Sequence, residues 1–401
     1  MPQPFHSPTD YMALLTQGVS AWNAWRSQIY NTWFSEETPD RSLRNLNLRS
    51  ANLQGTQLTR INFRDCDLRG ANLSGADLSE AKLYCAKLDG ADLSGANLQG
   101  ANLSRASLAG VNLSGANLIG ANLSNTDLSG YDFRGYNLQR VNFSQSNLAK
   151  AQFHEADLTQ ATLQRASLQR VDLTQATLHK TRFRYANLEQ ANFRGCKLSH
   201  IDFKYANLSS ANLEQSNLTD ANLGRADLRK AVLVRTILHR ANFTSAKLNE
   251  ANGKDLDGRS ANFRGASLTK TCFTNANLSQ ANFQLSKLHE AMLNRANLTG
   301  ANLERARLTQ AILSESTLVN AVLVQADLSQ AGLDQTNLLG ANLSKAKLQW
   351  TTLTNSSLVG ADLTSADLRG ADLTGVNLLG ADLNSTWLVG ATMPDGTKQR
   401  W

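Results

Sequence analysis

The chain has 401 residues, 41% hydrophobic content, a formal net charge of +7 and a pI near 9.3. That length accommodates two or three ordinary domains and a sizeable core, yet the apolar content is chiefly Leu and Ala, with 6% aromatic residues and five prolines. Four prolines precede residue 40 and the fifth is Pro394, so the stretch between them suits an unbroken hydrogen-bonded ladder, to which proline cannot donate.

The N-terminus, MPQPFHSPTDYMALL, has no basic n-region, and its apolar run is too short for a signal peptide or a membrane span. A cytoplasmic protein with no membrane role is expected. Ser7, Pro8 and Asp10 read as an N-cap, a first-turn proline and a third-position acid. Tyr11, Leu15, Trp22, Trp25, Ile29 and Trp33 then fall on one helical stripe. Residues 1–40 are therefore expected to form a helical cap and linker that closes the N-terminal end of the region beginning at residue 41. Their acidic balance disfavours an anionic lipid surface.

From about residue 41 to 393 a five-residue period takes over. Nearly every fifth residue is Leu or Phe, the residue two before it is usually Ala, Ser, Thr, Val or Cys, and the one before it is usually Asn or Asp. A period of five matches neither a helix nor a simple strand. It calls for a coil that turns once per five residues, with two positions inside and three outside. Every central Phe, from Phe63 to Phe283, has a number ending in 3, so a four-sided coil would confine the large rings to two opposite walls and keep the core filled without overpacking. Cys66 and Cys196 occupy small inward positions and are expected to be packed thiols, whereas Cys85 and Cys272 should face outward.

This pattern resembles the pentapeptide repeat family. The resemblance implies an all-β solenoid, a right-handed quadrilateral β-helix with four cells per coil. It would have about 17–18 coils and, at roughly 4.8 Å per coil, a length of about 85 Å. The segment VSAWNAWR also resembles the N-terminal segment of many cyanobacterial-type members.

Two places break the pattern. In ANGKDLDGRS, residues 251–260, the central series lands on Gly253 and Gly258, and two readings stand. Either ten residues loop out, presenting Lys254, Asp255, Asp257 and Arg259 as loop contacts, or two cells have decayed in place; the glycines and charges favour the loop. Tyr131 and Tyr136 fall on small inward positions, where a phenol ring overpacks the core, so the coil should bulge or the rings should turn outward.

The last position of each cell is mostly Gly between residues 55 and 130 and again from 360 to 390. Between about 140 and 240 it becomes Arg140, Lys150, Arg165, Arg170, Lys180, Tyr185, Tyr205, Arg225, Lys230, Arg235 and Arg240. Residues 131–260 carry 19 basic and 12 acidic side chains, an excess equal to that of the whole chain. Residues twenty apart should stack, so Arg165, Tyr185, Tyr205 and Arg225 would form one file flanked by Arg184 and Lys204. Like charges at ladder spacing are either well solvated or await an anionic partner.

Residues 394–401 form a short tail with no room for a capping helix. Trp387 and Trp401 would have to cover the last coil unless a second copy does, which makes end-to-end homodimerisation an expectation.

No P-loop, HExxH, CxxC or dinucleotide fingerprint is present, and the six histidines are scattered. No catalytic, cofactor or metal residues are assigned. The composition points to a non-enzymatic scaffold or regulatory interaction rod that docks an acidic protein on its basic middle section. The alternative drawn from quinolone-resistance members, a topoisomerase-interacting DNA mimic, requires an acidic rod. Direct nucleic-acid binding is a third reading, but +7 spread over 401 residues gives it little field.

Overall fold

The computed structural model describes residues 13–15, 17–29 and 43–400. The chain divides into two compact units, Met1–Leu168 with Ala176–Arg182, and Gln169–Gln175 with Phe183–Trp401. Each is a right-handed quadrilateral β-helix with twenty residues per coil. In both, the residue before each centre bridges in parallel to its equivalent one coil on, as in Asn52↔Asn72 and Asn207↔Asp227.

Three backbone bonds per cell explain why a five-residue period folds this way. The centre's amide donates to the next coil (Leu53 N to Asn72 O, 2.7 Å), the wall residue's amide donates to the previous coil (Asn72 N to Ala51 O, 2.9 Å), and a tight turn closes each corner (Ala71 N to Leu68 O, 3.0 Å). The corner residue has positive φ whether it is glycine (Gly55, 65°) or not (Arg165, 58°). Asn and Asp recur because their side chains finish the turn. The Asn72 Oδ1 accepts from the Ser74 amide at 3.1 Å, and Asn side chains also stack coil to coil, as Asn97 on Asp77 and Asn117 on Asn97, each at 3.0 Å. Such Asx turns satisfy backbone groups that a corner would otherwise leave to solvent.

Centres and small residues form the core. The Phe rings keep to two opposite walls, stacking along a wall (Phe263 on Phe283, 4.9 Å) and meeting edge-on across it (Phe193 with Phe203, 5.5 Å). Cys66 and Cys196 are buried, and burial pushes their thiols up to about 11 and about 12. Cys85 and Cys272 are half-buried.

The helix α1 (Val19–Ile29) caps the first coil. Trp22 is fully buried, and its Nε1 donates to Gln57 O at 2.8 Å; Asn23 accepts from the Gln57 amide at 2.8 Å and donates to Gly55 O at 3.2 Å; Arg26 donates to Thr59 O. The cap thus supplies polar partners to the coil's edge as well as covering its leucines. Ser7, Pro8, Asp10, Tyr11 and Trp33 lie outside the described residues.

The expected loop at 251–260 does not exist. These residues form two regular cells, with bridges Val232↔Asn252↔Cys272 and Ile237↔Asp257↔Asn277 intact. The reason is a volume exchange: Leu256 stands where a small residue belongs and fills the space left by both glycines. A Cβ on Gly253 would lie 2.5 Å from Leu256 Cδ2 and 2.8 Å from the Phe273 ring, and one on Gly258 would lie 3.2 Å from Leu256 Cδ1 and 3.0 Å from Leu278 Cδ2.

Of the two expectations for Tyr131 and Tyr136, the local distortion of the coil is found, as a parting of the ladder, whereas the rings do not turn out to solvent. Their half-buried rings run back between two coils, packing on Phe133 at 5.2 and 5.6 Å, and their hydroxyls donate to Val111 O and, at 2.9 Å, to Leu113 O. Among the described residues the bridges expected for Ser107 with Asp127, Asn112 with Asp132 and Asn117 with Asn137 are absent, while Asn102↔Asn122 and Asn122↔Asn142 hold. The ladder is open on three walls and closed on the fourth.

At the C-terminal end, Trp387 does not cover the core. It faces outward at 58% exposure, under the Arg369 guanidinium at 5.0 Å, because it occupies a wall position one before the centre Leu388. The tail instead folds back, with Thr392 and Lys398 bridged antiparallel, so it shields the edge of a single wall. Leu378, Leu383 and Leu388 stay half-buried. Trp401 lies outside the described residues.

Candidate partner-docking site

In the second unit the ladder builds a tyrosine strip. Tyr185 and Tyr205 occupy successive corners, their amides donating to Lys204 O (3.2 Å) and Gly224 O (3.1 Å). Coil spacing therefore becomes ring spacing, and the two phenols stack at 4.7 Å with 5° between planes. Both are held at positive φ (61° and 63°), a conformation that bulky side chains rarely adopt.

Three cations pack on this pair. The Arg184 guanidinium lies 5.4 Å from the Tyr185 ring and 5.8 Å from that of Tyr205; Lys204 Nζ lies 5.4 Å and the Arg225 guanidinium 5.7 Å from Tyr205, with Arg225 donating to Tyr205 Oη at 3.4 Å. Among the described residues, none of the three has a carboxylate within ion-pair distance. Their basic neighbours do: Arg194 meets Glu214 at 3.5 Å, Arg229 meets Asp227 at 2.7 Å, Lys230 meets Glu250 at 3.8 Å and Arg240 meets Asp220 at 2.7 Å. Hydrogen bonds from Arg240 hold the Asp220 carboxyl below its ordinary range. These pairs neutralise only part of the basic middle section, since Arg140, Lys180, Arg182, Lys197 and Arg235 also have no ion pair among the described residues; what sets Arg184, Lys204 and Arg225 apart is that they share two stacked tyrosines. Cation–π contact holds these side chains at modest energy, about 0.5–1 kcal/mol each where exposed.

The structure brings together five of the six residues expected in this file. Arg165, at the equivalent corner position, belongs to the first unit.

Of the residues expected on a loop, Asp257 pairs with Arg259 and His239, each at 2.8 Å, while Asp255 accepts from Asn275 at 3.0 Å. The Lys254 amide donates to the Asn252 side chain at 3.2 Å as in any other cell. They line a wall and do not project. Among the described residues no group of three His, Cys, Asp or Glu side chains could hold a metal ion, and no helix is long and apolar enough to cross a membrane.

Sequence comparison finds two matching family models. One, described as pentapeptide repeats (8 copies), matches overlapping segments over 42–165 and again over 236–393; the other, a pentapeptide repeat region, matches 146–223 and 166–243. No curated protein matches the sequence. Among solved structures, HetL, a pentapeptide repeat protein involved in heterocyst differentiation regulation from the cyanobacterium Nostoc sp. strain PCC 7120, is 32% identical over 61% of this chain and 91% of its own, with a TM-score of 0.23. Rfr23, a pentapeptide repeat protein from the cyanobacterium Cyanothece 51142, is 42% identical over 24% of this chain and 58% of its own, with a TM-score of 0.17. Full-length QnrB1, a plasmid-mediated fluoroquinolone resistance protein, is 15% identical over 56% of this chain and 92% of its own, with a TM-score of 0.19.

Proposed function

The chain belongs to the pentapeptide repeat family, and from that premise we propose that it works as a non-enzymatic scaffold that docks an acidic protein surface on the tyrosine strip of its second unit. One observation carries this reading: Arg184, Lys204 and Arg225 are gathered on two stacked phenols with no carboxylate of the described residues in reach. Tyr and Arg are the side chains that most often anchor interfaces. Here the ladder and the ring stack fix them beforehand, so little ordering entropy is lost on binding. An acidic surface would supply the missing carboxylates, to which guanidinium groups bind in bidentate geometry. The DNA-mimic alternative has the wrong sign of charge, and direct nucleic-acid binding is the competing outcome of the test.

Capture from the native lysate, with and without nuclease, is compared between the wild type and two variants. Arg184→Glu/Lys204→Glu/Arg225→Glu is expected to lose capture at least about tenfold, as removal of close interfacial charges does. Tyr185→Gly/Tyr205→Gly should lose it too while folding as well or better, because glycine adopts positive φ without strain. Capture by both variants at the wild-type level, or capture that vanishes with nuclease, would sink the reading.

End-to-end pairing is the second part of this reading. It is favoured by the half-buried Leu378, Leu383 and Leu388 beside Leu379, which is 73% exposed. Sedimentation is expected to show a dimer for the wild type and a monomer for Leu379→Asp/Leu388→Asp. A monomeric wild type at micromolar concentration removes it.

A further inference from the structure

We infer that Arg64, Tyr84 and Arg105, in the first unit, form a second docking site for carboxylate groups, built on the same plan as the tyrosine strip. The Arg64 guanidinium lies 5.0 Å from the Tyr84 ring, and that of Arg105 lies 5.9 Å from it while donating to Tyr84 Oη at 3.3 Å. The second unit has a similar set of contacts around Tyr205, in a different register because Tyr205 is itself a corner whereas Tyr84 stands just before the corner Cys85: Arg184 lies over the ring at 5.8 Å, and Arg225 at 5.7 Å donates to the hydroxyl at 3.4 Å. In each case the three residues come from three successive coils. In each case, too, the first arginine has its Nε buried with no hydrogen-bond partner. That guanidinium is seated against the wall, and its terminal Nη groups are what remain to meet a ligand.

Charge around the site argues the same way. Asp65 is taken by Arg44 at 3.8 Å and Glu80 by Arg60 at 2.7 Å, and neither Arg64 nor Arg105 has a carboxylate within ion-pair distance among the described residues. Two arginines therefore lie against one phenol with no acid among the described residues to answer them. The ligand that fits is an acidic peptide, whose carboxylates can each accept from one guanidinium fork. In sequence the site is hidden, because Tyr84 is not at a corner but just before the corner Cys85, and its two arginines are 20 residues before and 21 after it.

The inference borrows its ligand class from the reading of the strip in the second unit, and the experiment separates the two. A hexaglutamate peptide is titrated into the full chain at low salt, and the bound equivalents are counted by calorimetry. Two are expected for the wild type, one for Arg64→Gln/Arg105→Gln, one for Arg184→Gln/Lys204→Gln/Arg225→Gln, and none for the combined variant. If only the first variant loses an equivalent, the strip in the second unit fails and this site stands. If the first variant binds as the wild type does, this site is overturned. A second measurement needs no variant: hexaglutamate should slow phenylglyoxal modification of Arg64 and Arg105 in the wild type, read by mass spectrometry. Unprotected arginines, or protection by oligothymidylate but not by hexaglutamate, would overturn it.

Discussion

Leu256→Ala is expected to destabilise the second unit by about 2–5 kcal/mol, at the upper part of the range for a buried leucine, because one side chain fills the space of two missing ones. Gly253 and Gly258 leave nothing to collapse into that void, and the Phe273 ring is held by its own coil. Gly253→Leu alone should also destabilise, by about 1–3 kcal/mol or more, since its first carbon would already lie 2.5 Å from Leu256 Cδ2. Gly253→Leu/Leu256→Ala/Gly258→Leu rebuilds two ordinary cells and should recover stability to the wild-type level or above it. The single-variant costs therefore must not add, and a mutant cycle isolates the coupling. Each coil of a solenoid leans on its neighbours, so global melting blurs local effects. Amide exchange at Gly253, Asp257 and Gly258, whose coil-to-coil bonds measure 2.7–2.9 Å, reads the site directly. A triple variant that exchanges as fast as Leu256→Ala would show that volume exchange is not what keeps these cells in place.

The same residue marks where sequence reading stops short. The solenoid, its inward Leu and Ala files, the two Phe walls and the packed Cys66 and Cys196 all follow from a period strict enough to fix every side chain's direction. At 251–260 the two glycines draw attention to what is missing from the centres. The compensation stands three residues away, as a Leu two positions before Gly258, where the pattern calls for a small side chain. Periodicity says which position points inward, whereas packing depends on the sum over neighbouring positions, and only that sum distinguishes a loop from a repacked cell. The docking residues are legible differently. Stacking of Tyr185 on Tyr205 follows from a twenty-residue coil, but which of the nearby arginines are neutralised depends on side-chain reach, and Arg240 and Arg229 can be discounted only once Asp220 and Asp227 are placed. Trp387 has the size of a lid, but its register, one before a centre, turns it outward.

Tyr131→Ala/Tyr136→Ala should leave the stability of the first unit nearly unchanged, well short of the usual loss for two large-to-small changes. Each half-buried ring contributes about 1–1.5 kcal/mol through burial and about 0.5–1.5 kcal/mol through its contact with Phe133. Against this stand coil-to-coil bonds that the wedge prevents: among the described residues, the amides of Leu108, Leu113 and Leu118 on one side, and of Asp127, Asp132 and Asn137 on the other, make none of the ladder bonds their counterparts make elsewhere. At about 0.5–1.5 kcal/mol each, six such bonds match the two rings and the hydroxyl bonds they make to Val111 O and Leu113 O, provided that the coils can close. Closure is geometrically prepared. Asn102, Asn122 and Asn142 already hold the fourth wall in register, and alanine is the residue found at these inward positions in most other cells. Amide exchange at Asp127, Asp132 and Asn137 should be fast in the wild type and slow by orders of magnitude in the double variant. Slow exchange in the wild type would mean that the seam is closed in solution. Fast exchange in both, with lower stability, would mean that the tyrosines support an opening fixed by other residues. Retention of two rings whose removal costs so little would mark the seam as a place where the chain forgoes regular ladder bonds, as functional sites do.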